Sequence, residues 1–231
     1  MCFSAEASFT AAVLLSVIGY FTTKAVKDKR LIFLSWIPYL FAAQQLSEGF
    51  LWVFLKNPEY ARFIPVTSYF FLIFALLVWP VYIPLSLFIA ETVRWRRIAI
   101  GATLGIGLLY ADILLYSLAT TWPSPGISVE IIGNSIHYKM PQSPLLPFLG
   151  EHGNIYFYCA STLIPVFLSS VRYMWILAIT FVVGYIVASY LYNETFVSVW
   201  CFFAACMSAS LYYILTKQPV AIAQKDNSFK R

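Results

Sequence analysis

A short polar stretch, AAQQLSEGFLW, interrupts an otherwise apolar part of the chain at residues 42–52. Gln44, Glu48 and Trp52 are spaced four residues apart, so on a helix they share one face. Gln45 lies on an adjoining position, three residues before the acid. A carboxylate beside two amides and an indole can hold a cation, exchange a proton or orient a small polar molecule. The sequence therefore predicts a ligand-binding stripe formed by Gln44, Gln45, Glu48 and Trp52.

A second acid, Asp112, lies in the apolar run LLYADILLYSL. At about 1.5 Å per residue, Glu48 lies roughly 10 Å and Asp112 roughly 12 Å from the outer ends of their helices. Acids inside a membrane usually face the bundle interior, so we expect both to point into a common chamber open to the outside. Two structural alternatives stay open. In the first, Glu48 is protonated and only hydrogen-bonds Gln45 or a neighbouring helix. In the second, the two acids share one proton.

Cysteines are the candidate nucleophiles. Cys201 lies in the outer half of the last apolar segment, and Cys2 presents an amine beside a thiol if Met1 is removed. We include both among the predicted ligand-binding residues, with simple helix packing as the alternative. No CxxC or HxxxH spacing occurs, so a metal site would need scattered ligands such as Glu48 and His152. Metal and cofactor stay unknown at this stage.

The composition indicates the class of protein that holds these residues in place. The chain has 231 residues, of which 61% are hydrophobic and 11% are charged, against about 25% charged in soluble domains. The basic residues stand at the ends of apolar runs and are not interleaved with aromatic residues, which argues against nucleic acid as a partner. We expect an all-α, multi-pass protein of the cell (inner) membrane, with the lipid bilayer as its main partner.

Seven apolar segments are long enough to cross a bilayer as helices. They cover residues 7–24, 31–55, 63–90, 97–120, 154–171, 173–192 and 195–216. Pro80 and Pro84 predict a kink in the third segment, and Pro38 and Pro165 predict milder bends. This gives one transmembrane domain over 1–217, with a tail over 218–231. Twelve Lys and Arg residues fall on one side and three on the other, which predicts that the N-terminus lies outside and the C-terminus inside.

The longest loop, 121–153, lies on the predicted outer side. ISVEII and IHYKM alternate apolar and polar residues around Gly133, Asn134 and Ser135, which predicts a β-hairpin with a three-residue turn. An ordered hairpin there could act as a lid over the outer mouth, and a plain connector is the alternative.

The opening MCFSAEASF and the run QQLSEGFLW resemble an uncharacterised family of bacterial integral membrane proteins, over residues 1–55. The resemblance implies that Cys2, Gln44, Gln45, Glu48 and Trp52 belong to one pattern, together with Phe3, Ser4 and Gly49. It implies no substrate and no cofactor.

The expected function is the capture of a small molecule or cation in an outward-facing pocket, for sensing or uptake. Whether the chain is an enzyme stays uncertain, because a cysteine and the buried acids meet the minimum for chemistry without specifying a reaction. A third hypothesis is a structural subunit that requires a partner membrane protein. A zinc-dependent seven-span lipid hydrolase is excluded, because it would need three histidines and the chain has only two. A retinal protein is excluded, because the last segment has no lysine to form a Schiff base.

Overall fold

The chain folds into seven helical segments and a two-stranded hairpin. A computed structural model describes residues 4–121, 127–139, 153–191 and 196–218, with the backbone alone at 121, 153–155, 196–198 and 201–202. The segments are Ala5–Ala25 (α1); Ile32–Ser35 and Ile37–Lys56 (α2, α3); Ile64–Leu72, a π-helical stretch Ile73–Val78, and Trp79–Ala90 (α4, π, α5); Arg94–Thr121 (α6); Gly153–Thr162 and Ile164–Leu168 (α7, α8); Met174–Leu191 (α9); and Phe196–Ser208 and Ser210–Thr216 (α10, α11). The seven predicted segments and their mostly helical class are confirmed.

Prolines divide two of the segments. Trp36 separates α2 from α3, with Pro38 in the first turn of α3. Leu163 separates α7 from α8, with Pro165 in the first turn of α8. Proline lacks the N–H that a helix interior needs but is tolerated in the first turn, so each helix restarts where its proline costs least.

The third segment changes its winding before its prolines. Through Ile73–Val78 the backbone is π-helical, and the Trp79 N–H donates to the Phe74 carbonyl five residues earlier. The normal helix resumes at Trp79 with Pro80 in its first turn and Pro84 inside it. Such π bulges often occur at functional sites. Here the bulge sets the rotation of the Trp79 side chain relative to the preceding helix.

The helix α3 lies at the centre of a group of neighbours. It packs against α1 along its length and also contacts α4 and α10. Gly49 makes the close approach of α1 possible, because a Cβ at this position would lie 2.7 Å from the Phe9 ring. Further along, Gly19 faces the Tyr39 ring in the same way. On the other side of the bundle α6 packs against α5 and α7.

The hairpin pairs Ser128–Ile132 (β1) with Ser135–Lys139 (β2) in antiparallel register. Its turn has two residues instead of the expected three, because Ser135 pairs with Ile132 inside the ladder. Gly133 adopts φ +59° at the first turn position, as the type II′ turn requires. The strand β2 packs on α10 and β1 on α4. Tyr138 stacks on Phe71 of α4, with ring centroids 4.8 Å apart.

Four helical runs are long and apolar enough to cross a membrane: Ala5–Ala25, Pro58–Ala90, Arg94–Thr120 and Met174–Leu191. Two shorter apolar runs, Tyr156–Leu168 and Phe203–Thr216, accompany them. The chain is therefore a multi-pass membrane protein. The helix α3 is not one of the four, although it has 20 residues, because the polar residues 44–48 interrupt its apolar sequence.

Candidate functional site

The polar stripe of α3 is buried inside the described bundle. Gln44, Gln45 and Glu48 are 0% exposed and Trp52 is 2% exposed. The stripe faces the helices that surround α3 and not the outside of the bundle. Burying amides and a carboxylate is unfavourable unless each polar atom finds a partner, so the partners of these atoms decide what the stripe does.

Two hydrogen bonds inside this group are clear. The Trp79 Nε1–H donates to Gln44 Oε1 at 2.8 Å, which joins α3 to the start of α5. The Gln45 Nε2–H donates to Glu48 Oε2 at a long 3.4 Å, one helical turn along α3. The ring of Phe41 stacks on Trp79 at 3.8 Å between centroids and fixes the indole on its inner side. The first bond fixes the orientation of the Gln44 amide, so its N–H groups point away from Trp79.

Four buried polar atoms around Glu48 have no hydrogen-bond partner among the described residues. They are Gln44 Nε2, Gln45 Oε1, Trp52 Nε1 and, on α1, Ser8 Oγ. Ser8 precedes Phe9 on α1, and the Phe9 ring meets Gly49 of α3. Each unsatisfied buried group costs about 1–3 kcal/mol. Such buried groups need an ordered water or a ligand to complete their hydrogen bonding.

Below the stripe the bundle is apolar and closely packed. A cavity of about 10 Å³ lies against Phe41, Trp79 and Trp200. A second cavity of about 10 Å³ lies deeper, against Leu34, Leu87 and Met174. Each offers about the space of one water molecule.

Asp112 does not share this environment. Its side chain is exposed on α6, whereas the buried face of that helix carries Tyr110, Leu114 and Leu118. The common chamber of two acids expected from the sequence is therefore not present. Equal depth along two helices places side chains at one level, but it does not fix the direction in which each side chain points. The site consequently centres on Glu48 alone.

The whole chain matches one protein-family model, over residues 1–226, described as a family of unknown function (DUF6629). The chain belongs to this family. No curated protein and no solved structure gives a significant match. The match extends far beyond residues 1–55, which carried the resemblance seen in the sequence, so the hairpin and all seven segments lie within the family's extent.

The predicted roles of Cys2 and Cys201 stay predictions, because the structure describes the side chains of only two of the four cysteines. Cys2 and the side chain of Cys201 lie outside the described residues, as does His152. Of the described cysteines, Cys159 is half-buried and Cys206 is exposed, and both are free thiols. No group of three His, Cys, Asp or Glu side chains in the described ranges could hold a metal ion.

One buried acid was missed at the sequence level. Glu91, 2% exposed, follows α5 and accepts hydrogen bonds from the N–H groups of Thr92 and Val93 at 2.9 and 2.7 Å. Burial raises the pKa of Glu91, but its hydrogen bonds from Ser170, Val93 and Thr92 outweigh this effect and hold the pKa below its usual value. An acid just before a helix suggests a capping role, yet nothing in the sequence indicates the partner Ser170.

Proposed function

We propose that the protein spans the membrane seven times, with its N-terminus outside. In this proposal it binds a small cation or amine in the polar band around Glu48, as a sensor or uptake protein of the cell membrane. The four unpartnered atoms Gln44 Nε2, Gln45 Oε1, Trp52 Nε1 and Ser8 Oγ carry this proposal. The excess of Lys and Arg on one side supports the orientation.

The chemistry of the band favours a ligand that donates hydrogen bonds. Gln45 Oε1 is an unpartnered acceptor beside the Glu48 carboxylate, and Ser8 Oγ can also accept. A small ammonium group or a cation of similar size would donate to or coordinate these oxygens. The Gln44 Nε2–H and the Trp52 Nε1–H are donors about 12 Å apart along α3, so each would need its own acceptor, such as an ordered water.

The hairpin supports access from the outer side. The strands pack on α4 and α10, which both also contact α3. On the opposite side of the band the apolar core around Phe41 and Trp79 closes the bundle. A ligand that reaches Glu48 would pass the hairpin, which would act as its lid.

A cation-binding measurement tests the proposal. We would follow thermal unfolding of the purified protein by tryptophan fluorescence in sodium, potassium and ethylammonium chloride at equal ionic strength. At least one cation should raise Tm in the wild type, and Glu48→Gln should abolish the rise. The matched control, Asp112→Asn, removes an exposed acid on α6 and should keep it.

Native mass spectrometry of the wild-type protein gives an independent reading of the same site. A bound small molecule that is lost in Glu48→Gln and retained in Asp112→Asn supports the proposal. If no cation stabilises the wild type and no adduct is found, the polar band serves helix packing and the proposal is wrong.

A further inference from the structure

A second candidate binding surface lies at the end of the bundle opposite Lys56. There the turn before α9 meets the end of α11. The Gln218 Nε2–H donates to the Arg172 carbonyl at 2.9 Å, and the rings of Tyr173 and Tyr213 lie 6.0 Å apart. The helix α11 also contacts α2, at the start of the segment that ends at Lys56. Arg172, Tyr173, Tyr213 and Lys217 form what we call the basic shelf.

A basic side chain lies over each aromatic ring of the basic shelf. The guanidinium of Arg172 lies 4.8 Å from the centroid of Tyr173, and the Lys217 ammonium lies 5.8 Å from the centroid of Tyr213. Both basic side chains are exposed. A cation that rests on an aromatic face is held in position while its remaining N–H donors stay available.

The carboxylates at this end of the described bundle already have partners. Asp28 forms an ion pair with Arg30 at 2.6 Å. Glu91 accepts four hydrogen bonds, from Thr92, Val93 and the backbone and hydroxyl of Ser170. No described acid pairs with Arg172 or Lys217, so within the described residues both cations are available to an anion.

The surroundings of the basic shelf indicate which anion this is. Trp175, 59% exposed, is the second residue of the apolar run Met174–Leu191, and Tyr212, 45% exposed, lies beside Tyr213 on α11. Exposed aromatic residues at the ends of apolar helices lie at the level of lipid headgroups. Two fixed cations at that depth match a lipid phosphate.

We propose that the basic shelf binds the phosphate of an anionic phospholipid. Arg172 and Lys217 would hold the phosphate oxygens, and Trp175 would pack against the glycerol and upper acyl chain. This site is independent of the polar band at Glu48, and it does not depend on which side of the membrane the N-terminus occupies.

Native mass spectrometry with defined lipids tests the inference. The full-length protein in detergent would be titrated with phosphatidylglycerol and with phosphatidylcholine. The wild type should bind the anionic lipid at least tenfold more tightly, and Arg172→Gln/Lys217→Gln should reduce this preference to about that of the zwitterionic lipid. Both positions are exposed, and retained Tm of the variant shows that folding is intact.

A matched variant separates a specific site from net charge. Lys56→Gln/Arg62→Gln removes two other cations that lie on rings, those of Trp52 and Phe63 at 5.3 and 4.6 Å. This variant should keep the lipid preference. Equal loss in both variants, or no loss in the first, overturns the proposal. Displacement of the lipid by millimolar inorganic phosphate would also overturn it, because the site would then bind a free anion.

Discussion

Glu91 and Ser170, 79 residues apart, are joined by two hydrogen bonds. The Ser170 N–H donates to Glu91 Oε2 at 2.7 Å, and its hydroxyl donates to Oε1 at 2.6 Å. The acid stands between α5 and α6, and the serine stands between α8 and α9. One buried carboxylate therefore ties two connections of the bundle together, and these hydrogen bonds are strongest while it is ionised.

This tie predicts an acid-sensitive stability. The pKa of Glu91 is lower in the folded protein than its ordinary value of 4.5, so its stabilisation is complete above that pH. It is lost as the pH falls through the lower, folded-state pKa. Glu91→Gln should cost about 1.5–3 kcal/mol at pH 7 and flatten the stability curve below pH 5. Chemical unfolding in mixed micelles across pH 3–7 measures both effects.

The exposed acid Glu59 provides the control for that measurement. It is exposed in the turn Pro58–Phe63, so Glu59→Gln should leave both the stability at pH 7 and its pH profile close to those of the wild type. If Glu91→Gln retains the wild-type acid profile, the tie between the two connections does not contribute measurably.

The contact between Trp79 and Gln44 predicts a second stability effect. Trp79→Phe keeps an aromatic ring against Phe41 but removes the donor to Gln44 Oε1. The Gln44 amide would then lack described partners at both ends, which should cost about 1–3 kcal/mol. Adding Gln44→Leu should recover part of the loss, because no orphaned amide remains. A double-mutant cycle in unfolding free energy measures the coupling, and purely additive losses would contradict it.

The sequence predicted the helical segments well because the length of an apolar run directly reflects the membrane thickness. It also predicted the hairpin, since alternation and Gly133 are local signals. It could not place Asp112, because α6 is apolar on every side and carries no periodic signal for its buried face. The bond between Glu91 and Ser170 is a tertiary contact over 79 positions, and a single sequence contains no trace of it.

The glycines of α6 predict a position-specific packing effect. A Cβ at Gly107 would overlap the Pro80 carbonyl oxygen and lie 2.8 Å from the carbonyl carbon. Pro84 cannot donate to this carbonyl, so α6 packs directly on a backbone carbonyl that lacks the usual donor four residues later. Gly107→Ala should therefore destabilise the protein by about 1–3 kcal/mol or more, since backbone moves less easily than a side chain.

Gly105 is the matched position on the same helix. A Cβ there meets nothing within 4 Å, so Gly105→Ala should be neutral or raise stability by up to about 1 kcal/mol through better helix propensity. Thermal unfolding of both variants compares them directly. Equal destabilisation would show that the loss comes from helix flexibility and not from the contact with Pro80.

Finally, we predict that the hairpin is attached to the bundle mainly through side chains of β2. Ile136 of β2 is 0% exposed, while Ile131, its direct partner across the ladder, is 37% exposed. Ile136→Ala should cost about 2–5 kcal/mol of local stability, whereas Ile131→Ala should stay within about 0.5 kcal/mol. A loss of about 3 kcal/mol makes local opening roughly 100-fold more frequent. Hydrogen exchange of the β1 and β2 amides should therefore accelerate in the first variant, while the amides of α6 keep their protection.

If the hairpin acts as the lid of the Glu48 site, the same variant should speed the release of a bound cation without changing the residues that bind it. Unchanged exchange in Ile136→Ala would mean that Tyr138 stacked on Phe71 holds the hairpin by itself.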